Sequence, residues 1–173
     1  MNWLRVDHYA RKLTESLNAR GVFLVSMAED SKPNVMTINW GQVGLAWGNP
    51  SVTVFVRQSR YTHSCLEGSS DFTLNVPAFD DLGSQLALCG EVSGRDTDKI
   101  SECQFTLVES RKVVTPIIAE CPFHFECKIL ARAQLSKQDI VGSGMLKSYY
   151  EHGDHHMMVV AEIVEVYGRL GER

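Results

Sequence analysis

The sequence lacks the long apolar segment that a membrane-spanning helix requires. No run of about 18 apolar residues occurs in its 173 residues. Asp7, His8 and Arg11 also lie where a signal peptide would have its apolar centre. We therefore expect a cytoplasmic protein that makes no contact with a membrane.

A concentrated basic surface is missing as well. The chain carries 17 Lys and Arg against 21 Asp and Glu, a formal net charge of −4. A protein that coats nucleic acid must neutralise many phosphates, so no nucleic acid partner is expected. Several cations nevertheless fall within one third of the sequence, and such a local basic site suits a small anionic ligand. These cations are Arg57, Arg60, Arg95, Lys99, Arg111 and Lys112.

Paired cysteines and recognised metal motifs are also absent. The five cysteines include no Cys-x-x-Cys pair, and their odd number cannot close into a full set of disulfides, so reduced thiols are expected. His155 and His156 are adjacent, and neighbouring residues that enter a strand point to opposite faces. No Cys or carboxylate stands at a recognised metal-ligand spacing from them. The sequence therefore predicts no metal site.

The glycines do not form a dinucleotide-binding motif. Gly41, Gly44 and Gly48 lack the spacing of that motif, so the sequence shows no dedicated nicotinamide-binding domain. A nicotinamide would then have to bind in the open space over another cofactor.

The length fits one domain, residues 1–173, with one hydrophobic core. Apolar residues spaced by three and four predict a helix over residues 3–20. Short helices are predicted over residues 59–66, 80–90 and 96–103. Strands are predicted over residues 22–27, 35–40, 51–57, 72–76, 113–114, 123–135 and 157–166. These elements predict an α+β chain built around a β-barrel.

Cationic and hydroxyl side chains lie at the turn between the third predicted strand and the helix that follows it. Arg60 offers a forked guanidinium, and Ser59 and Thr62 add hydroxyls. The N–H groups of a first helical turn are also free to bind an anion. These residues predict a phosphate site, although Ser59 could equally cap the helix beside exposed arginines. Arg57 is a further candidate, but alternation along a strand can point it away from Arg60.

Further candidates end the strand at residues 35–40. Thr37, Ile38, Asn39 and Trp40 precede a glycine, where the backbone can lie close beside a flat ring. From the residues alone, Trp40 could instead fill the mouth of the barrel.

Residues 93–99 read Ser-Gly-Arg-Asp-Thr-Asp-Lys and form a turn that leads into a short predicted helix. The turn offers Arg95 and Lys99 as cations, but it could also be a solvated loop in which Arg95 pairs with Asp98. Asn75 ends the strand at residues 72–76, and a strand-ending Asn needs no ligand.

These segments together resemble the flavin reductase-like family of FMN-binding split barrels, which includes flavoredoxins. The resemblance covers about residues 10–168. It implies an α+β Greek-key split β-barrel with flanking short helices, a homodimer, and FMN held without a covalent bond.

The resemblance also implies the role of each segment. It assigns the FMN phosphate to Ser59, Arg60 and Thr62, and it puts the isoalloxazine beside the strand end at residues 37–40. The cofactor-binding residues it implies are Thr37, Ile38, Asn39, Trp40, Arg57, Ser59, Arg60, Thr62, Asn75, Ser93, Gly94 and Lys99.

Two residues take catalytic roles under the same resemblance. Lys99 would favour the anionic reduced flavin, because a cation interacts more strongly after charge has developed; it could instead bind phosphate. His155 matches the Gly-Asp-His turn that lies near the exposed face of the flavin, and His156 is an added histidine whose role stays open.

The leading functional hypothesis is an FMN-dependent NAD(P)H:flavin oxidoreductase. NADH or NADPH would donate a hydride to flavin, which would pass electrons to free flavin, a metal complex or a protein acceptor. An alternative is a flavoredoxin-like electron carrier that has no nicotinamide turnover of its own. A third is a binding module that has lost redox use, because a fold does not fix a function.

Overall fold

A seven-stranded antiparallel sheet forms the centre of the structure, a computed structural model that describes residues 3–78, 82–142 and 144–168. The strands of this sheet are β1 (Val22–Met27), β2 (Pro33–Ile38), β3 (Gly41–Ala46), β4 (Asn49–Arg57), β5 (Asp71–Val76), β8 (Phe123–Gln134) and β9 (His156–Gly168). Two short strands, β6 (Leu107–Val108) and β7 (Ile117–Ile118), pair with each other. The order of the seven strands in the large sheet is β2-β1-β5-β8-β9-β4-β3, which leaves β2 and β3 at its edges.

Helices cover the sheet and connect its strands. They are α1 (Trp3–Ala19), α2 (Tyr61–Gly68), α3 (Gly83–Glu91), α4 (Lys99–Glu102) and α5 (Met145–Tyr149), with a 3₁₀ turn at Lys137–Asp139. Within the described ranges, no helix is both long and apolar enough to cross a bilayer.

The main hydrophobic cluster lies between α1 and one face of the large sheet. Leu13 and Leu17 of α1 meet alternate residues of β4, Val52 and Val54, all of which are buried. A second cluster covers the other face of β1, where Phe23 packs with residues of α3 and with residues of the segment 103–121 that follows α3 and α4. β1 is therefore buried on both faces, which explains its continuous apolar sequence.

The α+β architecture predicted from the sequence is confirmed, with the helix over residues 3–20 found as α1. Strand β3 was not predicted, because its two glycines and its single β-branched residue, Val43, give it a low strand propensity. β3 forms a hairpin with β4 through the two-residue loop Trp47-Gly48, in which both residues have positive φ.

Two other predictions are corrected by the structure. The strand predicted at residues 35–40 begins and ends two residues earlier, as β2 (Pro33–Ile38), and it can begin at a proline because β2 is an edge strand. Residues 113–114 form a bend and not a strand. The backbone N–H groups of Val114 and Thr115 are bonded to the side chain of Asp71 instead of to a neighbouring strand. Of the helix predicted at residues 80–90, Asp80 and Asp81 lie outside the described residues.

Candidate functional site

Two cavities adjoin at the end of β2 and the start of α2, and they share Met36 and Arg60. The larger, of about 260 Å³, we call the aromatic cavity. It is lined by Met36, Thr37, Ile38, Asn39, Trp40, Phe55, Arg57, Arg60 and His156. The smaller, of about 100 Å³, we call the basic cavity. It is lined by Met36, Ser59, Arg60, Tyr61, Thr62, Cys89, Glu91, Val92, Ser93, Gly94 and Lys99.

The fold thus brings together three segments that are far apart in the sequence. Every cofactor-binding residue proposed from the sequence lines one of the two cavities, with the exception of Asn75. Arg57 lines the aromatic cavity together with Arg60, so strand alternation does not separate the two guanidinium groups.

Asn75 is a structural residue of the core. Its side chain is fully buried, and its Oδ1 accepts from the backbone N–H of Ile118 at 3.0 Å and lies 2.9 Å from Nδ1 of His124. Its Nδ2 donates to Oγ1 of Thr73. Asn75 therefore holds β7 and β8 against β5, and it lines neither of the two cavities.

The basic cavity is built where β4 passes into α2. Arg60 is the N-cap residue of α2, and no side chain caps the helix. Ser59 was a candidate cap, but its N–H and hydroxyl both donate to the carboxylate of Asp154, at 2.9 and 2.8 Å. The first-turn N–H groups of α2 thus stay without a side-chain acceptor, beside a half-buried guanidinium.

Lys99 contributes a buried cation to the basic cavity. It is only 4% exposed, and its Nζ lies 3.5 Å from the carbonyl of Cys89 and 3.3 Å from that of Val92, to which it donates. Burial lowers the pKa of Lys99 from its usual range. Among the described residues, no carboxylate lies within ion-pair distance of its Nζ. An ammonium held by carbonyls alone has capacity for an anion.

Asn34 is a site residue that the sequence reasoning missed. Its Nδ2 donates to Oγ1 of Thr62 at 2.8 Å, so it orients a hydroxyl of the basic cavity. A Cβ at Gly94 would collide with Oδ1 of Asn34 and lie 3.0 Å from the Tyr61 ring. Gly94 is therefore required by close packing. Asn34 precedes the strand predicted at residues 35–40, so the sequence carried no signal for its role.

In the turn at residues 93–99, Arg95 and Asp98 are exposed, but they do not form the ion pair that the sequence allowed. The guanidinium of Arg95 lies over the ring of Tyr61, 5.0 Å from its centre. Asp98 instead caps α4, because its side chain accepts from the N–H groups of Ile100 and Ser101. The cap fixes Lys99 at the first position of this helix.

The aromatic cavity has flat side chains on one wall. The ring of Trp40 lies 4.9 Å from that of His156 with an interplanar angle of 38°. Trp40 is 39% exposed, so it does not fill the barrel interior. Arg57 fixes the neighbouring loop by donating to the carbonyls of Asp154, at 2.9 Å, and Tyr149, at 3.1 Å.

His156, and not His155, lies at the aromatic cavity. His156 begins β9 and pairs with Arg57 of β4, and its Nδ1 lies 2.8 Å from the hydroxyl of Tyr150. His155 stacks on Tyr150 at 4.8 Å and lines neither cavity, because successive side chains at a strand point in opposite directions. Burial, with a smaller contribution from Arg57, lowers the pKa of His156 to about 4, so its imidazole is neutral at pH 7.

Comparisons with known proteins agree on one family. A family model described as flavin reductase like domain matches residues 16–173. An uncharacterized protein of Archaeoglobus fulgidus is 33% identical over 135 residues, which are 78% of this chain and 73% of that protein.

Solved structures share the fold. Flavoredoxin of Desulfovibrio vulgaris has a TM-score of 0.68 at 21% identity, with 87% of this chain and 69% of that chain covered. An FMN-binding domain of flavin reductases-like enzyme from Shewanella baltica has a TM-score of 0.64 at 23% identity, covering 92% and 74%. The architecture is thus that of the split barrels, as the sequence predicted. The matched residues span most of the sequence, and the chain belongs to the flavin reductase-like family.

Proposed function

We propose that the chain binds FMN, with the isoalloxazine in the aromatic cavity and the phosphate in the basic cavity. The observation that carries this proposal is the contact between the two cavities at Met36 and Arg60. One cavity offers flat rings to an apolar ligand, and the other offers cations and free helix N–H groups to an anion. FMN presents these two chemistries at opposite ends of one molecule.

The residues of the chain would hold the cofactor as follows. The phosphate could bind to Arg60, Lys99, Ser93 and Thr62. Lys99 is assigned to the phosphate and not to the ring, because it lines the basic cavity and does not line the aromatic cavity. Bound FMN would supply the redox chemistry. His156 would stay neutral beside the ring, held in one orientation by Tyr150.

The first functional candidate is an oxidoreductase that accepts a hydride from NADH or NADPH and passes electrons to a small-molecule or protein acceptor. Trp40 lines the aromatic cavity and is 39% exposed, so a nicotinamide would approach the flavin from the solvent side of this ring. The second candidate is an electron carrier without its own nicotinamide turnover, which the structural likeness to flavoredoxin supports.

Stopped-flow mixing of the FMN-loaded protein with NADH and with NADPH separates the two candidates. We expect rapid loss of the oxidised flavin absorbance with at least one donor. The same protein mixed with dithionite is the control for a reducible flavin. Reduction by dithionite but by neither nicotinamide would favour the electron carrier.

Calorimetric titration tests the phosphate assignment. FMN should bind about 10- to 150-fold more tightly than riboflavin, because only FMN presents a phosphate to the donors of the basic cavity and charge-assisted hydrogen bonds contribute about 1.5–3 kcal/mol. Equal affinities for the two flavins would show that the basic cavity does not bind the phosphate of FMN.

We also propose a homodimer in the cytoplasm. Edge strand β3 and its hairpin loop expose Leu45 at 65% and Trp47 at 73%, an apolar surface next to an unpaired strand edge that a second copy could cover. Light scattering should give twice the mass of one chain, and the mass of a single chain would contradict the homodimer. The five unbridged thiols suit a reducing compartment.

A further inference from the structure

Two thiols meet behind the basic cavity. The Sγ atoms of Cys89, in α3, and Cys103, at the end of α4, lie 3.7 Å apart. Both cysteines are almost fully buried, and Cys89 also lines the basic cavity. A disulfide needs an S–S distance of about 2.05 Å, so the two sulfurs would have to approach by roughly 1.7 Å.

Both cysteines are joined to Lys99 through the backbone. The carbonyl of Cys89 accepts from Nζ of Lys99 at 3.5 Å. The N–H of Cys103 donates to the carbonyl of Lys99 at 3.0 Å. Any change in the separation of the two cysteines is therefore transmitted to both ends of the lysine that lines the basic cavity.

We propose that Cys89 and Cys103 are a modification site at which hydrogen peroxide forms a disulfide that draws α4 towards α3 and weakens phosphate binding in the basic cavity. One thiol is oxidised by peroxide to a sulfenic acid with release of water. The other thiol then displaces a second water and forms the S–S bond. In sum, the two thiols lose two protons and two electrons, and one peroxide becomes two waters.

The basic cavity gives a small oxidant its route to Cys89. If FMN binds as proposed, its isoalloxazine lies in the adjoining aromatic cavity, and reoxidation of the reduced flavin by dioxygen would release peroxide there, next to the basic cavity. Burial raises the pKa of Cys89 to about 12, so little thiolate is present at neutral pH and the reaction should accelerate as the pH rises.

Peptide mapping tests the disulfide directly. The reduced protein is treated with hydrogen peroxide, alkylated and digested with trypsin and Glu-C together, which place each cysteine on a separate peptide. We expect the peptides of Cys89 and Cys103 to appear cross-linked, two hydrogen masses below their sum. Cys103→Ser should instead trap a dimedone-reactive sulfenic acid at Cys89. Cys121→Ser changes a buried thiol of the same hydrophobic cluster and should keep the cross-link.

The consequence for binding is measured on the same samples. Oxidation should weaken FMN binding about three- to tenfold and leave riboflavin binding unchanged, because a partial loss of charge-assisted contacts affects only the phosphate. A peptide map without the cross-link, or a cross-link that leaves FMN affinity unchanged, would overturn the proposal. If the reduced protein fails to bind FMN, the FMN proposal fails, while the peptide map still decides whether the disulfide forms. Should Cys103→Ser not fold, the map of the parent protein decides alone.

Discussion

Replacement of Glu126 by alanine is expected to destabilise the fold by about 3 kcal/mol or more. Glu126 is fully buried in β8, and its carboxylate accepts from the N–H groups of Arg111, at 2.8 Å, and Lys112, at 2.6 Å, and from the hydroxyl of Tyr167, at 2.9 Å. Its removal takes a charged acceptor away from three donors, two of which belong to the exposed residues Arg111 and Lys112. A hydrogen bond to a charged group contributes about 1.5–3 kcal/mol, so the loss of all three should reach this size even where water replaces some of them. This loss is a large part of a typical unfolding free energy of about 5–15 kcal/mol.

Urea denaturation monitored by circular dichroism gives the measurement. Glu67→Ala is the matched control, because the side chain of Glu67 is 60% exposed and lies 3.5 Å from Nδ1 of His63, one turn earlier in α2. The change should stay within about 0.5 kcal/mol. Glu126→Gln, which keeps one acceptor oxygen, should fall between the two. A Glu126→Ala variant as stable as the control would show that the carboxylate of Glu126 does not anchor the loop at Arg111 and Lys112.

Replacement of Arg60 by alanine is expected to weaken FMN binding about 10- to 150-fold. Arg60 lines both cavities and is the N-cap residue of α2, so its guanidinium is placed beside the proposed phosphate position. Loss of a hydrogen bond to a charged group costs about 1.5–3 kcal/mol, which corresponds to this factor. Riboflavin, which has no phosphate, should lose much less affinity.

Isothermal titration with both flavins checks this result. Arg11→Ala removes an exposed arginine of α1 that pairs with Glu15 far along the chain from the cavities, and its FMN affinity should match that of the parent. Unchanged FMN affinity in Arg60→Ala together with a lower melting temperature would make Arg60 a structural residue and would move the phosphate elsewhere.

The local elements were largely predictable because they rest on short-range patterns. The three- and four-residue spacing of apolar residues predicted α1, and the β-branched run at residues 22–27 predicted β1. Strand β3 escaped prediction, because pairing with β4 and a turn of positive φ, not propensity, make it a strand.

The candidate site was likewise predictable in part from the sequence. Its segments were visible in the sequence, since cations and hydroxyls beside a strand-to-helix turn already indicate an anion site. Which side chains enter the site depended on contacts between distant segments. The register of β9 against β4 sets His156 opposite Arg57 and turns His155 away. Asn34 gained its position from contacts with Thr62 and Gly94.

The sequence by itself determined the α+β class, the main helices and strands, and the residue types available to bind an anion, because these depend on periodicity and side-chain chemistry within a few neighbouring residues. Only the tertiary structure decided that Asn75 belongs to the core and that Lys99 lies with Arg60 in the basic cavity. A side chain's burial and partners are set by the strands and helices that pack against it, and those lie tens of residues away in the chain.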